Sequence, residues 1–209
     1  LWPVALLFPV TVPLGLGHVA DMLRRFLLEW MPEVETRFAV ALDAWSQPVT
    51  PVFEMTCVAL GLLVPGLLAM ALCRRLAQRL AVMVAACVAA LLGNALSATL
   101  TYGPEHAWHW LTPPSGSGLA LGLCAMVLML KLSERRLTQL LLVVQLLLLV
   151  MLNLSPVSVY YEQTMQTWEQ GRFIRFHGLT PWLNWLWPWA LVVWAGWRLR
   201  HRGSHAQHL

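Results

Sequence analysis

The chain has 209 residues, of which 58 % are hydrophobic and 11 % charged, and it carries a net charge of +4. Soluble domains run to roughly 45–50 % apolar and about 25 % charged, so a water-soluble globule of this length has too little core for its apolar excess, whereas a bilayer takes it up in helices of about 20 residues. The basic residues stand at the ends of apolar runs and not on one polar face, which speaks against nucleic acid as the partner of the positive charge.

In chain order, Leu1 to Leu16 is apolar but carries Pro3, Pro9 and Pro13. Each proline removes a backbone donor that lipid cannot replace, which predicts a broken or partial span. Leu1 to Gly17 lacks the basic leader of a secretory signal peptide, and the chain opens on leucine, so the expectation is a processed start or further sequence upstream. From His18 to Trp45, charged residues such as Asp21, Arg24, Arg25, Glu29, Arg37 and Asp43 recur at helical spacing among Leu, Phe, Trp and Val. This pattern predicts an amphipathic helix lying at the interface, broken near Pro32.

Val52 to Leu72 is a clear span, closed by Cys73-Arg74-Arg75. Leu80 to Leu100 follows, with Ala81, Ala85, Ala89, Gly93 and Ser97 at every fourth position and Ala86, Ala90, Asn94 and Ala98 beside them. Small residues let backbones approach closely, the main source of helix association in lipid, so this helix is expected at the centre of the bundle. Leu119 to Leu132 is next, with Gly118 and Gly122 at the same spacing. Leu137 to Leu154 is leucine-rich without such a stripe and is expected on the lipid side. Trp182 to Trp197 is a short, tryptophan-rich last span, closed by Arg198, Arg200 and Arg202. Cys57, Cys73, Cys87 and Cys124 lie in or beside these apolar runs without a CxxC pair, and read as small hydrophobes, neither disulfides nor metal ligands.

The loops set a topology. Arg74, Arg75, Arg79, Lys131, Arg135, Arg136, Arg198, Arg200 and Arg202, nine of the 14 basic residues, gather on one side with Glu134 as their acid. By the positive-inside rule that side is cytoplasmic. The expectation is an all-α polytopic bundle of six membrane segments over residues 1–200, with a polar cytoplasmic tail at 201–209. Both ends would be inside, and the connections 18–49, 102–117 and 155–181, with their amphipathic helices, would face outward. Thr50-Pro51, Thr112-Pro113 and Thr180-Pro181 each stand where a helix would start from the outer face, since Thr caps free backbone donors and Pro suits the first helical position.

Several groupings invite chemistry. Pro114-Ser115-Gly116-Ser117 matches the PSGH motif of membrane lipid phosphatases except at its histidine, and the basic partners of that motif are missing; a helix start accounts for it. Glu105, His106 and His109 sit close together in the 102–117 connection. They could serve a metal or act as acid and base, but with Trp108 and Trp110 interleaved an interfacial amphipathic turn explains them better. Within the spans, Glu54 lies at the outer edge and the other polar groups noted are Asn94, Gln145 and Asn153. The absence of a mid-membrane charge weighs against an ion-coupled transporter. Pro65-Gly66 reads as a kink or a locally unwound turn.

The stretch 160–182 carries the most. Tyr160, Tyr161, Trp168, Phe173, Phe176 and Trp182 supply apolar anchors, and Glu169, Arg172 and Arg175 recur three residues apart before His177-Gly178 turns the chain into Thr180-Pro181. Two arginines at headgroup depth suit bidentate contacts to phosphate or carboxylate. The simpler reading is an interfacial helix whose arginines reach ordinary headgroups.

Leu152-Asn153-Leu154-Ser155-Pro156, Tyr160-Tyr161, Trp168-Glu169-Gln170-Gly171-Arg172-Phe173-Ile174-Arg175-Phe176-His177-Gly178-Leu179 and Leu186-Trp187-Pro188 resemble the C-terminal portion of long bacterial VanZ-like membrane proteins. Trp110-Leu111-Thr112-Pro113 fits the same pattern. Arg175 departs from it, where a QGRFxNFxGL pattern has Asn, and the N-terminal VanZ core is not in these residues. The resemblance implies a protein of the bacterial cytoplasmic membrane, in a family named for resistance to teicoplanin, and supplies no catalytic residues. The first functional expectation is therefore a non-enzymatic envelope protein that binds or excludes an amphiphilic or lipid-linked ligand at the outer leaflet through Trp168, Glu169, Arg172, Arg175 and His177, with His106 and His109 nearby. The second is an accessory subunit of a membrane complex, packed by its small-residue stripes. The third is a membrane enzyme for a lipid-linked substrate using Glu105, His106, His109 or His177. Membrane lipids and possible partner subunits are the expected partners; no cofactor, metal or nucleic acid is expected.

Overall fold

The computed structural model describes residues 1–7, 12–17, 50–154 and 179–204. Among these residues the structure is all-helical: α1 (Trp2–Ala5), α2 (Pro51–Leu72), α3 (Leu76–Tyr102), a 3-10 turn at Pro104–His106, α4 (Pro113–Met129), α5 (Glu134–Leu154) and α6 (Leu179–Ser204). Among the described residues three helices are long and apolar enough to cross a bilayer, namely α2, α3 and α5 over Glu134–Asn153. α4 has 17 residues and is a shorter apolar helix. The expected amphipathic stretch at 18–45 and residues 160–178 of the stretch at 160–182 lie outside the described residues; residues 179–182 form the first turn of α6, so Thr180-Pro181 falls inside that helix and not before it.

Local chemistry sets the helix limits. Thr50 caps α2 by accepting from Phe53 N at 3.3 Å, Pro51 takes the first helical position, and the chain turns extended at Cys73. Thr112 caps α4 in the same way, accepting from Ser115 N at 3.3 Å, while Ser115 Oγ accepts from Thr112 N at 2.8 Å. These reciprocal bonds satisfy two of the free donors at a helix start. α3 ends at Gly103, whose φ of 101° only glycine adopts without strain. α2 continues unbroken through Pro65, so the Pro65-Gly66 pair does not unwind it.

The centre of the bundle is α2. Its apolar stretch is 72 % buried, against 33 % for α3 and 44 % for α5. This reverses the expectation that the 80–100 helix is central. The row at Ala81 and Ala85 is exposed, whereas the buried stripe of α3 runs through Met83, Ala86, Ala90 and Asn94. α2 is central because its neighbours touch its backbone. A Cβ on Gly118 would stand 2.5 Å from Met55 O and one on Gly122 3.0 Å from Ala59 O, and Gly66 leaves room for the sulfur of Met126. The pairings 55 with 118 and 59 with 122 advance together, so α2 and α4 run parallel in close contact. α5, expected on the lipid side, turns one face inward through Leu137, Leu141, Val144, Leu148 and Leu152. Its Val143, Leu146, Leu147 and Val150 face outward.

The first segment is broken, as its prolines demand. After α1, residues 12–17 form a tight turn in which Gly15 N donates to Val12 O at 2.9 Å, with Pro13 second and Leu14, at φ 64°, third. This non-helical backbone lies inside the bundle: Val12, Leu14 and Leu16 are buried, and Leu14 O rests where a Cβ of Gly61 would be, at 2.6 Å. Irregular backbone survives at such depth only when protein supplies its hydrogen bonds. Here Asn184 Oδ1 accepts from Gly17 N at 3.0 Å, and Asn153 Nδ2 donates to Gly17 O at 2.9 Å. Gly17 itself has φ 109°, and a Cβ there would meet Leu149 at 2.6 Å; both facts require glycine.

Candidate functional site

The bundle has two chemically different ends. At the first, Arg79 is only 7 % exposed. Its guanidinium donates through Nε to Cys73 O at 3.0 Å and through one Nη to Leu130 O and Leu132 O, each at 2.7 Å. Arg198 donates to Ala71 O at 2.9 Å and meets Glu134 at 3.4 Å, lying 5.0 Å over the ring of Trp194. Arg74 meets the other oxygen of Glu134 at 3.6 Å. These bonds gather the ends of α2, α4 and α6 and the start of α5. Arg75, Lys131, Arg135, Arg136 and Arg200 stand exposed around them. The arrangement is a structural clamp surrounded by solvated cations.

At the opposite end, Glu54 lies in the first turn of α2 and accepts from Thr112 Oγ1, the cap of α4, at 2.6 Å. One carboxylate thus stands at two parallel helix starts, where the macrodipoles favour negative charge. Ser115 is fully buried, and its hydroxyl lies 2.7 Å from Trp110 O, to which it donates. A hydroxyl so enclosed is a structural group, which agrees with reading the Pro114–Ser117 stretch as a helix start. The 3-10 turn brings His106 and His109 together edge to face, ring centroids 4.6 Å apart, with Glu105 Oε1 3.7 Å from His106 Nδ1. His109 and Trp108 are exposed. Among the described residues no group of three or more His, Cys, Asp and Glu is arranged to hold a metal ion.

Of the residues singled out in the sequence, Trp168, Glu169, Arg172, Arg175 and His177 lie outside the described residues. Their attachment points do not. The tie of Asn153 and Asn184 to Gly17 joins the end of α5 to the start of α6, and the Arg198–Glu134 pair joins their other ends. The connection between Leu154 and Leu179 therefore leaves from, and returns to, the end opposite the cations. Among the packing residues, Gly118 and Gly122 lie against α2, Gly93 against Leu6, and Ser97 Oγ lies 3.4 Å from Leu7 O. Ala89 is half-buried and Ala85 exposed. Sequence reasoning overlooked Asn184 and the internal role of Arg79. An amide one turn before a proline, and an arginine set one turn inside a span instead of at its edge, were the available signals. No family model, curated protein or solved structure matches this chain.

Proposed function

We propose that this chain belongs to a multi-pass protein of the bacterial cytoplasmic membrane, VanZ-like and non-enzymatic, which binds or excludes an amphiphilic, lipid-linked ligand at the outer leaflet. α1 with residues 12–17 and α2 to α6 are the six membrane segments, and the end bearing Arg75, Lys131 and Arg136 faces the cytoplasm. The observation that supports this reading is the segregation of the two ends: the helices flanking the connection that holds Trp168, Glu169, Arg172, Arg175 and His177 are tied together at the end opposite the cation-rich one, the end that also carries Glu54, Trp108, His106 and His109. Arg172 and Arg175 suit recognition of phosphate or carboxylate, and the aromatics that flank them in the sequence are of the kind enriched at headgroup depth.

The test is the paired substitution Arg172→Gln and Arg175→Gln in cells that express the protein, with tolerance to teicoplanin as the readout. Tolerance is expected to fall to that of cells lacking the protein while its amount in the membrane stays constant. Unchanged tolerance removes these arginines from the function.

A second reading, an accessory subunit of a membrane complex, rests on α3. This helix is only one-third buried, and Leu80, Val84, Val88 and Leu92 face outward beside Ala81 and Ala85. A monomer after gentle detergent extraction would eliminate it.

A further inference from the structure

Halfway along the bundle, a cavity of about 10 Å³ lies between the broken first segment and helices α2, α5 and α6, lined among others by Leu14, Leu16, Gly61, Gln145, Trp187 and Pro188. Gln145 is 2 % exposed, and among the described residues its Nε2 has no hydrogen-bond partner; the buried Nε1 of Trp187 has none there either. Buried donors without acceptors are rare in native structures, and here two of them, from adjacent helices, border one space. An indole N–H donates only, and an amide nitrogen donates only. The occupant must therefore accept hydrogen bonds. It must also be uncharged, since the rest of the lining is apolar, and no larger than one water molecule, for which the volume is just sufficient.

We infer that this cavity is a hydration site holding a single water, whose oxygen accepts from Gln145 Nε2 and Trp187 Nε1. The site exists because the turn at residues 12–17 cannot fill the space a straight helix would occupy. Pro188, one residue beyond Trp187, forms part of the wall where it packs near Gly17. The water bridges α5 to α6 beside the break, between Gln145, two turns before Asn153 on α5, and Trp187, three residues after Asn184 on α6. It completes a polar seam that runs along an otherwise apolar interior.

The experiment uses the full chain in lipid nanodiscs with ¹⁵N-labelled tryptophan indoles, the Trp187 signal being assigned by its loss in Trp187→Phe. The expected result is a cross-relaxation peak between the Trp187 indole proton and water, with the sign of a long-lived bound molecule. In Gln145→Leu that peak is expected to vanish, and the unfolding midpoint to fall. Absence of the peak in the unsubstituted protein overturns the inference. So does a rise in the midpoint of Gln145→Leu, the result for an amide buried without a partner. Should that variant fail to fold, the measurement on the unsubstituted protein still decides.

Discussion

Replacing Arg79 by Met tests whether the basic end of the bundle is a clamp or merely a topological signal. The side chain is 7 % exposed and gives three hydrogen bonds at 3.0, 2.7 and 2.7 Å. All three acceptors are carbonyls at helix ends: Cys73 closes α2, and Leu130 and Leu132 follow α4. α4 is about 25 Å long at 1.5 Å per residue, less than a hydrocarbon core of about 30 Å, so its last carbonyls would otherwise lack donors in an apolar setting. Hydrogen bonds from a charged donor contribute about 1.5–3 kcal/mol each, and they do not add because one guanidinium makes all three. Breaking a buried charged network of this kind costs about 3–5 kcal/mol, a large share of a typical stability of about 5–15 kcal/mol. Unfolding in mixed detergent–SDS micelles, followed by tryptophan fluorescence, gives the free energy directly. Arg79→Lys, which keeps the charge but loses the fork, should fall between the two. Arg75→Met removes an equal charge from the same end of α3, at its N-cap, where the side chain is exposed, and should change stability by no more than about 0.5 kcal/mol. Equal losses in Arg79→Met and Arg75→Met would refute the clamp and leave only a charge-counting effect.

Gly118→Ala drives a Cβ to 2.5 Å from Met55 O and 2.9 Å from Val58 Cβ, and should cost about 1–3 kcal/mol by overpacking in the same unfolding assay. Gly116→Ala, with nothing within 4 Å, should be neutral or slightly stabilising, and equal effects at both sites would contradict the close approach of α2 and α4. Asn184→Ala leaves the buried Gly17 N–H without its acceptor, a loss of about 1–3 kcal/mol; adding Asn153→Ala should cost less than the sum of the single losses, because both amides hold the same glycine. Cys57 is fully buried and Cys73 half-buried at the basic helix end, so a membrane-impermeant maleimide should label Cys73 from the cytoplasmic face and leave Cys57 untouched. Labelling of Cys73 from outside would invert the proposed orientation.

The sequence made the helices legible and hid their arrangement. Thr50 and Thr112 announce helix starts because capping is local chemistry, and both serve as caps. The apolar windows 52–72, 80–100 and 137–154 lie within α2, α3 and α5, which extend a few residues further because polar residues such as Glu134 and Arg136 begin or end helices in water. The prolines of the first segment likewise foretell its break. Centrality was not legible. In a leucine-rich helix every face is apolar, so periodicity cannot say which one meets protein and which meets lipid. Alanines at every fourth position permit close packing without supplying a partner, and Ala85 stays exposed. The glycines of α4 do meet a backbone, but that of α2, whose own sequence carries no such stripe.

The interior polar groups bear on where a ligand would be met. Arg79 and Arg198 donate to carbonyls at the basic helix ends. Asn153 and Asn184 hold the backbone of Gly17, and Asn94 donates to Ala90 O within its own helix. Apart from Asn94, whose bond lies mid-helix, each of these side chains satisfies main chain where a helix ends or the chain breaks. A side chain spent in this way cannot also bind a substrate without exposing the carbonyl or amide it covers, at about 1–3 kcal/mol for each group. Recognition by these residues would therefore loosen the bundle each time a ligand bound. The exposed imidazole of His109 and the ring of Trp108 are under no such constraint, because among the described residues neither side chain is used to close a helix. This difference in what binding would cost is the physical reason to look for function at the end opposite the cations before looking inside the spans.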